Sequence, residues 1–263
     1  MSLSLKDIVF VPSVQHTGTW FTIEFLQNFF PRTRELTFLL EPYDMKPSDA
    51  NMLYQYVYTQ PLDVPTITHV HLPIIKDLAH EVNFHGTWFE QTWIMNLATR
   101  RSLQVQTLLL FCNFFKTVIP VRDPLAAILT REARAPQFRH FFIVDGFVAL
   151  ATEFAKHPNV KFLPIDLPMS VEERAALLRD VVQHCGIDPN IHLPLLYKLA
   201  SEWAAKNQTP GNKFKEPYEQ RDLAKIKELL GPKCAELEYL TNMSAVILPF
   251  MASLGYTRRE LRY

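Results

Sequence analysis

Three short stretches of the chain carry residue types that could hold an anion and move a proton. The first is Gln15-His16-Thr17-Gly18-Thr19, a small polar turn between two apolar segments. Before it runs a β-branched stretch, Ile8 to Val11, and after it Trp20, Ile23, Leu26 and Phe30 recur at helical spacing. This reads as strand, tight turn and helix. The first N–H groups of such a helix lack intrahelical partners and carry the positive end of its dipole, which suits a phosphate. The chain has seven glycines in 263 residues. A glycine at position 18 lets the backbone approach an anion closely. The turn has neither the Gly-Lys-Ser/Thr ending of a Walker loop nor G-x-G-x-x-G, and a plain strand-to-helix turn without a ligand is the competing reading.

The second stretch is TITHVHLP, residues 66 to 73, a strand closed by Pro73. Its period of two puts Ile67, His69 and His71 on one face. The third is Arg122-Asp123-Pro124, at the end of the buried run Lys116 to Val121, with Thr130 eight residues after the arginine. A histidine, with a reference pKa near ~6.5, can take a proton at neutral pH. The planar fork of an arginine matches a phosphate.

These groups need a scaffold that brings strand ends together. A fourth strand is expected over Val160 to Ile165 and a short one over 36 to 40. Helices are expected over 48–58, 87–115, 125–134, 138–157, 192–205, 217–230 and 232–254. Another is opened by the capping box Ser170-x-x-Glu173 and ends near Gly186. Alternating strands and helices imply an α/β fold with a central parallel sheet flanked by helices, in a single domain over 1–263 that is mostly helical after residue 166. In such a sheet ligands bind at the carboxyl ends of the strands. The turn at Gly18, His71 and Arg122 each end an expected strand.

Composition narrows the classes. Lys+Arg and Asp+Glu number 27 each, so no global charge draws the chain to nucleic acid or anionic lipid. Cys112, Cys185 and Cys234 have no zinc spacing and read as reduced, mostly buried thiols. The apolar run Leu108 to Val121 is interrupted by Asn113 and Lys116, so no membrane span is expected. A soluble, cytoplasmic protein is expected. The sequence carries no signal for an oligomeric state.

The three stretches, taken in order, resemble the motifs of the sulfotransferases that use 3′-phosphoadenosine 5′-phosphosulfate (PAPS). His16-Thr17-Gly18-Thr19-Trp20-Phe21 is similar to that family's 5′-phosphosulfate loop, Lys-Ser-Gly-Thr-Thr-Trp. His69-Val70-His71-Leu72-Pro73 is similar to Lys-Thr-His-Leu-Pro, which carries the family's catalytic base. Arg122, Asp123-Pro124 and Thr130 are similar to its 3′-phosphate motif, and Leu254-Gly255-Tyr256 to its tail. The resemblance, over about residues 5 to 256, implies a three-layer fold of the P-loop NTPase type and transfer of a sulfuryl group from PAPS to a hydroxyl or amine of a small-molecule or glycan acceptor. It implies His71 as general base and Arg122 and Thr130 on the 3′-phosphate. It implies Thr17, Gly18 and Thr19 on the 5′-phosphate, and Phe21 or Trp20 on the adenine. No metal is implied.

The chain departs from that pattern at His16 and His69, which stand where the family has lysines, and at Trp20, which stands for the second loop threonine. The family's late Arg-Lys-Gly segment has no good copy, and Lys213, in the basic stretch NQTPGNKFK, is the nearest substitute. Three other readings stay open: a metal held by His16, His69 and His71, an atypical P-loop phosphotransferase, and a nucleotide-binding protein without catalysis.

Overall fold

The computed structural model describes residues 8–14, 16–35, 64–72, 105–106, 108–128, 141–207 and 239–256. Five strands form one all-parallel sheet. They are β1 (Ile8–Val14), β2 (Arg32–Glu35), β3 (Thr66–Leu72), β4 (Lys116–Val121) and β5 (Val160–Pro164), in the order β2-β3-β1-β4-β5. The central strand β1 is buried along its whole length. That explains its unbroken apolar reading, since a strand covered on both faces does not alternate.

The side chains of the strands sort into two cores by their period of two. Val9, Val11, Ile67, Val118 and Leu163 pack on one face beneath α1 (Thr19–Leu26), α3 (Val171–His184) and α4 (Leu193–Asn207). Ile8, Phe10, Val14, Val70, Ile119 and Val121 pack on the other. There they meet the helical residues 108–114 and 124–128, α2 (Phe141–Ala149) and α5 (Ser244–Ser253). From β1 the chain leaves over the first face toward β2. It reaches β4 and β5 over the second face in the opposite direction. Reversing face and direction together keeps one hand for the described crossovers from β1 to β2 and from β4 to β5, as parallel sheets require.

Four expectations are corrected. The helix after the turn ends at Leu26, and Phe30 is buried beyond a turn at 27–29. The segment 138–157 is not one α-helix. α2 gives way to a π turn, Leu150–Phe154, closed by Ala155 N–H donating to the Leu150 carbonyl at 2.9 Å. Likewise 232–254 is interrupted by a turn at Met243 in its described part, and α4 is preceded by a 3-10 turn, Pro189–His192. Strand β2 was not expected. Arg-Thr-Arg-Glu has no apolar run to mark it, and a charged edge strand is how sheets blunt an open edge. The expected strand 36–40 and the helices 48–58 and 217–230 lie outside the described residues. Among the described residues, all regular structure after Pro164 is helical, and no helix is long and apolar enough to cross a membrane. Burial pushes the Cys112 thiol up to about 11 and the Cys185 thiol up to about 12, which disfavours the thiolate at neutral pH; Cys234 lies outside the described residues.

The capping box at the start of α3 is present in full. Ser170 Oγ accepts from Glu173 N–H at 3.1 Å and Glu173 Oε2 accepts from Ser170 N–H at 2.7 Å. Substituting Ser170→Ala is expected to cost about 1 kcal/mol. For a chain of this size that lowers the melting temperature by about 2–4 °C, readable by calorimetry. An unchanged melting temperature would mean that solvent satisfies these donors equally well.

Candidate functional site

Among the described residues the strand order has a switch point between β1 and β4. β1 sends the chain toward β2 and its neighbour β4 sends it toward β5, so the loops leaving their carboxyl ends diverge. This is the switch point at which open parallel sheets take ligands. β1 pairs with β3 over seven residues, but with β4 only through Val9–Lys116 and Phe10–Thr117. Pro12 in β1 and Pro120 in β4 offer no N–H for a ladder beyond that point.

The loop leaving β1 is wound tightly. His16 has φ 63°, uncommon for a side chain-bearing residue, and Gly18 has φ 99°. Gly18 is the N-cap of α1, and no side chain caps that helix. A β-carbon at Gly18 would lie 2.2 Å from Ile165 Cδ1, at the exit of β5. The glycine is therefore needed for packing as well as for its dihedral angles. Thr17 Oγ1 donates to the Val14 carbonyl at 2.6 Å, and Thr19 Oγ1 lies 2.6 Å from Ser13 Oγ, all of them buried. These hydroxyls brace the loop against β1.

The two aromatics after the glycine separate. Phe21 packs on Trp203 of α4 with ring centroids 4.9 Å apart, and the Arg174 guanidinium lies 4.5 Å from the Trp203 centroid. Trp20 is 66% exposed, and its ring lies 6.0 Å from that of His69, which is only 3% exposed. The backbone of His71 pairs in register with Ser13, next to the loop. Thus His16, Gly18, His69 and His71 gather at the ends of adjacent strands, β1 and β3.

Arg122 leaves the end of β4, and its side chain is 16% exposed. Its Nε lies 3.5 Å from Asp166 Oδ2, just beyond the end of β5. The same oxygen accepts from Asp123 N–H at 3.2 Å. The Tyr256 hydroxyl donates to Asp166 Oδ1, with the Val121 carbonyl 3.3 Å from that hydroxyl. The Asp123 carboxylate is buried and caps the helical residues 124–128, accepting from Leu125 N–H at 3.0 Å and Ala126 N–H at 3.1 Å. Burial, then the nearby Asp123 carboxylate, push Asp166 up to about 6 against the hydrogen bonds and Arg122, which pull it down. Burial, then the Asp166 carboxylate, push the Tyr256 hydroxyl well above its ordinary value.

Sequence reasoning missed Asp166, Trp203 and the role of Tyr256. Asp166 had a usable signal, since it follows an expected strand just as Arg122 does. Trp203 had none, its partner lying 38 residues away, and the tail resemblance that covers Tyr256 gave no hint of its partner, 90 residues away. Thr130 and Lys213 lie outside the described residues. Among the described residues no three of His, Cys, Asp or Glu group as metal ligands. No protein-family model, curated protein or solved structure matches the chain.

Gly18→Ala is expected to cost about 1–3 kcal/mol through steric overlap and the left-handed φ. Adding Ile165→Val, which removes the overlapping Cδ1, should restore part of that loss but not all. Chemical denaturation of the single and double variants reads both terms. Full tolerance of the single change would contradict the close approach of the loop to β5.

Proposed function

We propose that the chain is a PAPS-dependent sulfotransferase with a P-loop-like fold, acting on a hydroxyl or amine of a small-molecule or glycan acceptor. One observation carries this reading. Three stretches that resemble the family's motifs, separated by some fifty residues each, lie at the carboxyl ends of the neighbouring strands β3, β1 and β4. They lie around the switch point of the strand order.

The residues present suit a dianionic nucleotide. α1 offers an N-terminus with a glycine cap and no capping side chain, which favours negative charge. Arg122 supplies a charge-assisted fork. In this reading the main chain of the loop from His16 to Thr19 holds the 5′-phosphate, while Thr17 and Thr19 keep the loop in shape through Val14 and Ser13. Arg122 grips the 3′-phosphate. Trp20, the more exposed of the two aromatics, offers a face for the adenine or the acceptor. PAPS supplies an activated sulfuryl group when bound. His71 takes the proton of the acceptor, and His16 and His69 offer hydrogen bonds where the family has lysines.

Incubation with PAPS and a panel of alcohols, phenols, amines and oligosaccharides, read by mass spectrometry, tests this. A product 80 Da heavier than an acceptor (roughly the mass of a sulfuryl group replacing a proton) is expected from the wild type. His71→Ala is expected to slow its formation by on the order of 10²–10⁴-fold. Normal nucleotide binding without any sulfated product would favour a nucleotide-binding protein without catalysis. Phosphorylated products with ATP would favour a phosphotransferase.

A further inference from the structure

We propose that Asp166 is the internal counter-ion of Arg122: ionised, it pairs with the guanidinium, and when an anion binds there it takes up a proton and yields. This deepens the reading of Arg122 as an anion anchor, but it requires only that Arg122 meets an anion, whatever molecule carries it.

The geometry sets up the competition. Asp166 Oδ2 meets Arg122 at Nε, the root of the fork, at 3.5 Å. A guanidinium carries four further N–H donors on its two Nη atoms. An anion on that fork therefore comes close to the carboxylate. Two negative groups so near each other, where the Arg122 and Asp166 side chains are only 16% and 20% exposed, favour protonation of the weaker acid. Among the described residues, the charged and titratable groups facing Asp166 are Arg122 and Asp123 from the exit of β4, and Tyr256 from beyond α5. Its own exit loop continues as Leu167-Pro168-Met169, without a charge.

The carboxylate is fixed against moving aside. Trp203 Nε1 donates to the Ile165 carbonyl at 3.1 Å, and Arg174 Nε donates to the Met169 carbonyl at 3.1 Å. Tyr256 and Asp123 N–H hold one oxygen each. With the group anchored, protonation is the way left to remove its charge. Its position near pH 6 makes that inexpensive: a carboxyl at the ordinary value would resist protonation far more strongly at neutral pH.

The sign follows. Below about pH 6 Asp166 is neutral and does not oppose an anion. Above it the ionised form competes, so affinity falls as pH rises. Asn at 166 mimics the neutral form at every pH. The ratio of wild-type to Asp166→Asn dissociation constants cancels the titration of the ligand's own phosphates and of the nearby histidines. That ratio should be close to one at pH 5 and rise to about tenfold by pH 8, if the anion shifts Asp166 by about one pKa unit.

The experiment titrates both proteins with 3′,5′-adenosine bisphosphate and, separately, with inorganic pyrophosphate across pH 5–8, after checking that their melting temperatures permit it. A rising ratio supports the proposal. Bisphosphate binding with a flat ratio overturns it and leaves the sulfotransferase reading standing. A rising ratio with pyrophosphate, but no bisphosphate binding, keeps the proposal and removes that reading. Binding of neither anion overturns both. Tyr256→Phe gives an independent check should the Asn variant fold poorly. Removing a hydrogen bond that stabilises the carboxylate should raise the pH at which wild-type-like affinity is lost, as read from the bisphosphate titration of that variant beside the wild type. An unmoved midpoint overturns the assignment.

Discussion

The site depends on one close approach, that of Gly18 to Ile165. The turn after β1 reaches across the end of β4 and touches the exit of β5, at a distance no β-carbon could occupy. With strand order β1-β4-β5, that contact lays the start of α1 beside the residue leaving β4, which is Arg122. A helix N-terminus and a guanidinium thereby lie at the carboxyl ends of adjacent strands, β1 and β4. Both features favour negative charge, so their proximity costs electrostatic free energy that an anion would recover.

The surroundings keep that arrangement rigid. The exit of β5 is tied to α4 through Trp203, to α3 through Arg174, and to the tail through Tyr256. Tyr256 is among the largest fully buried side chains, and its hydroxyl ends on a carboxylate rather than in the apolar core around it. Buried polar groups need such partners. The hydroxyl–carboxylate–guanidinium chain therefore joins the last described residue of the fold to the switch point. β1 and β4 pair only through Val9–Lys116 and Phe10–Thr117, and Pro12 and Pro120 offer no N–H to extend that ladder.

Much of this was legible in the sequence because it obeys periodicity. β1, β3, β4 and β5 are apolar runs closed by breakers, and Ser170-x-x-Glu173 marks α3 with a local chemistry that needs no tertiary context. β2 was illegible because an edge strand of Arg, Thr and Glu carries no apolar signal. The site was legible in part. The rule that ligands sit at strand ends located the turn at Gly18, His71 and Arg122. It applies equally to Asp166, which a polar partner for Arg122 should have suggested. The second reason for Gly18, contact with Ile165, is a distance between residues 147 positions apart and left no local trace. The same holds for Thr17 and Thr19, whose hydroxyls read as ligand donors in isolation but meet Val14 and Ser13 once the loop is folded.

The central claim is that Arg122 and the N-terminus of α1 form one anion site selective for a nucleotide with a 3′-phosphate. Calorimetric titration with 3′,5′-adenosine bisphosphate, beside 5′-AMP and ATP, on the wild type and Arg122→Ala tests it most directly. Micromolar binding of the bisphosphate is expected, with 5′-AMP far weaker and a loss of about 2–5 kcal/mol in the variant, as for truncation of one partner in a desolvated ion pair. Equal affinity for 5′-AMP, a preference for ATP, or an Arg122→Ala protein that binds as the wild type does would contradict it.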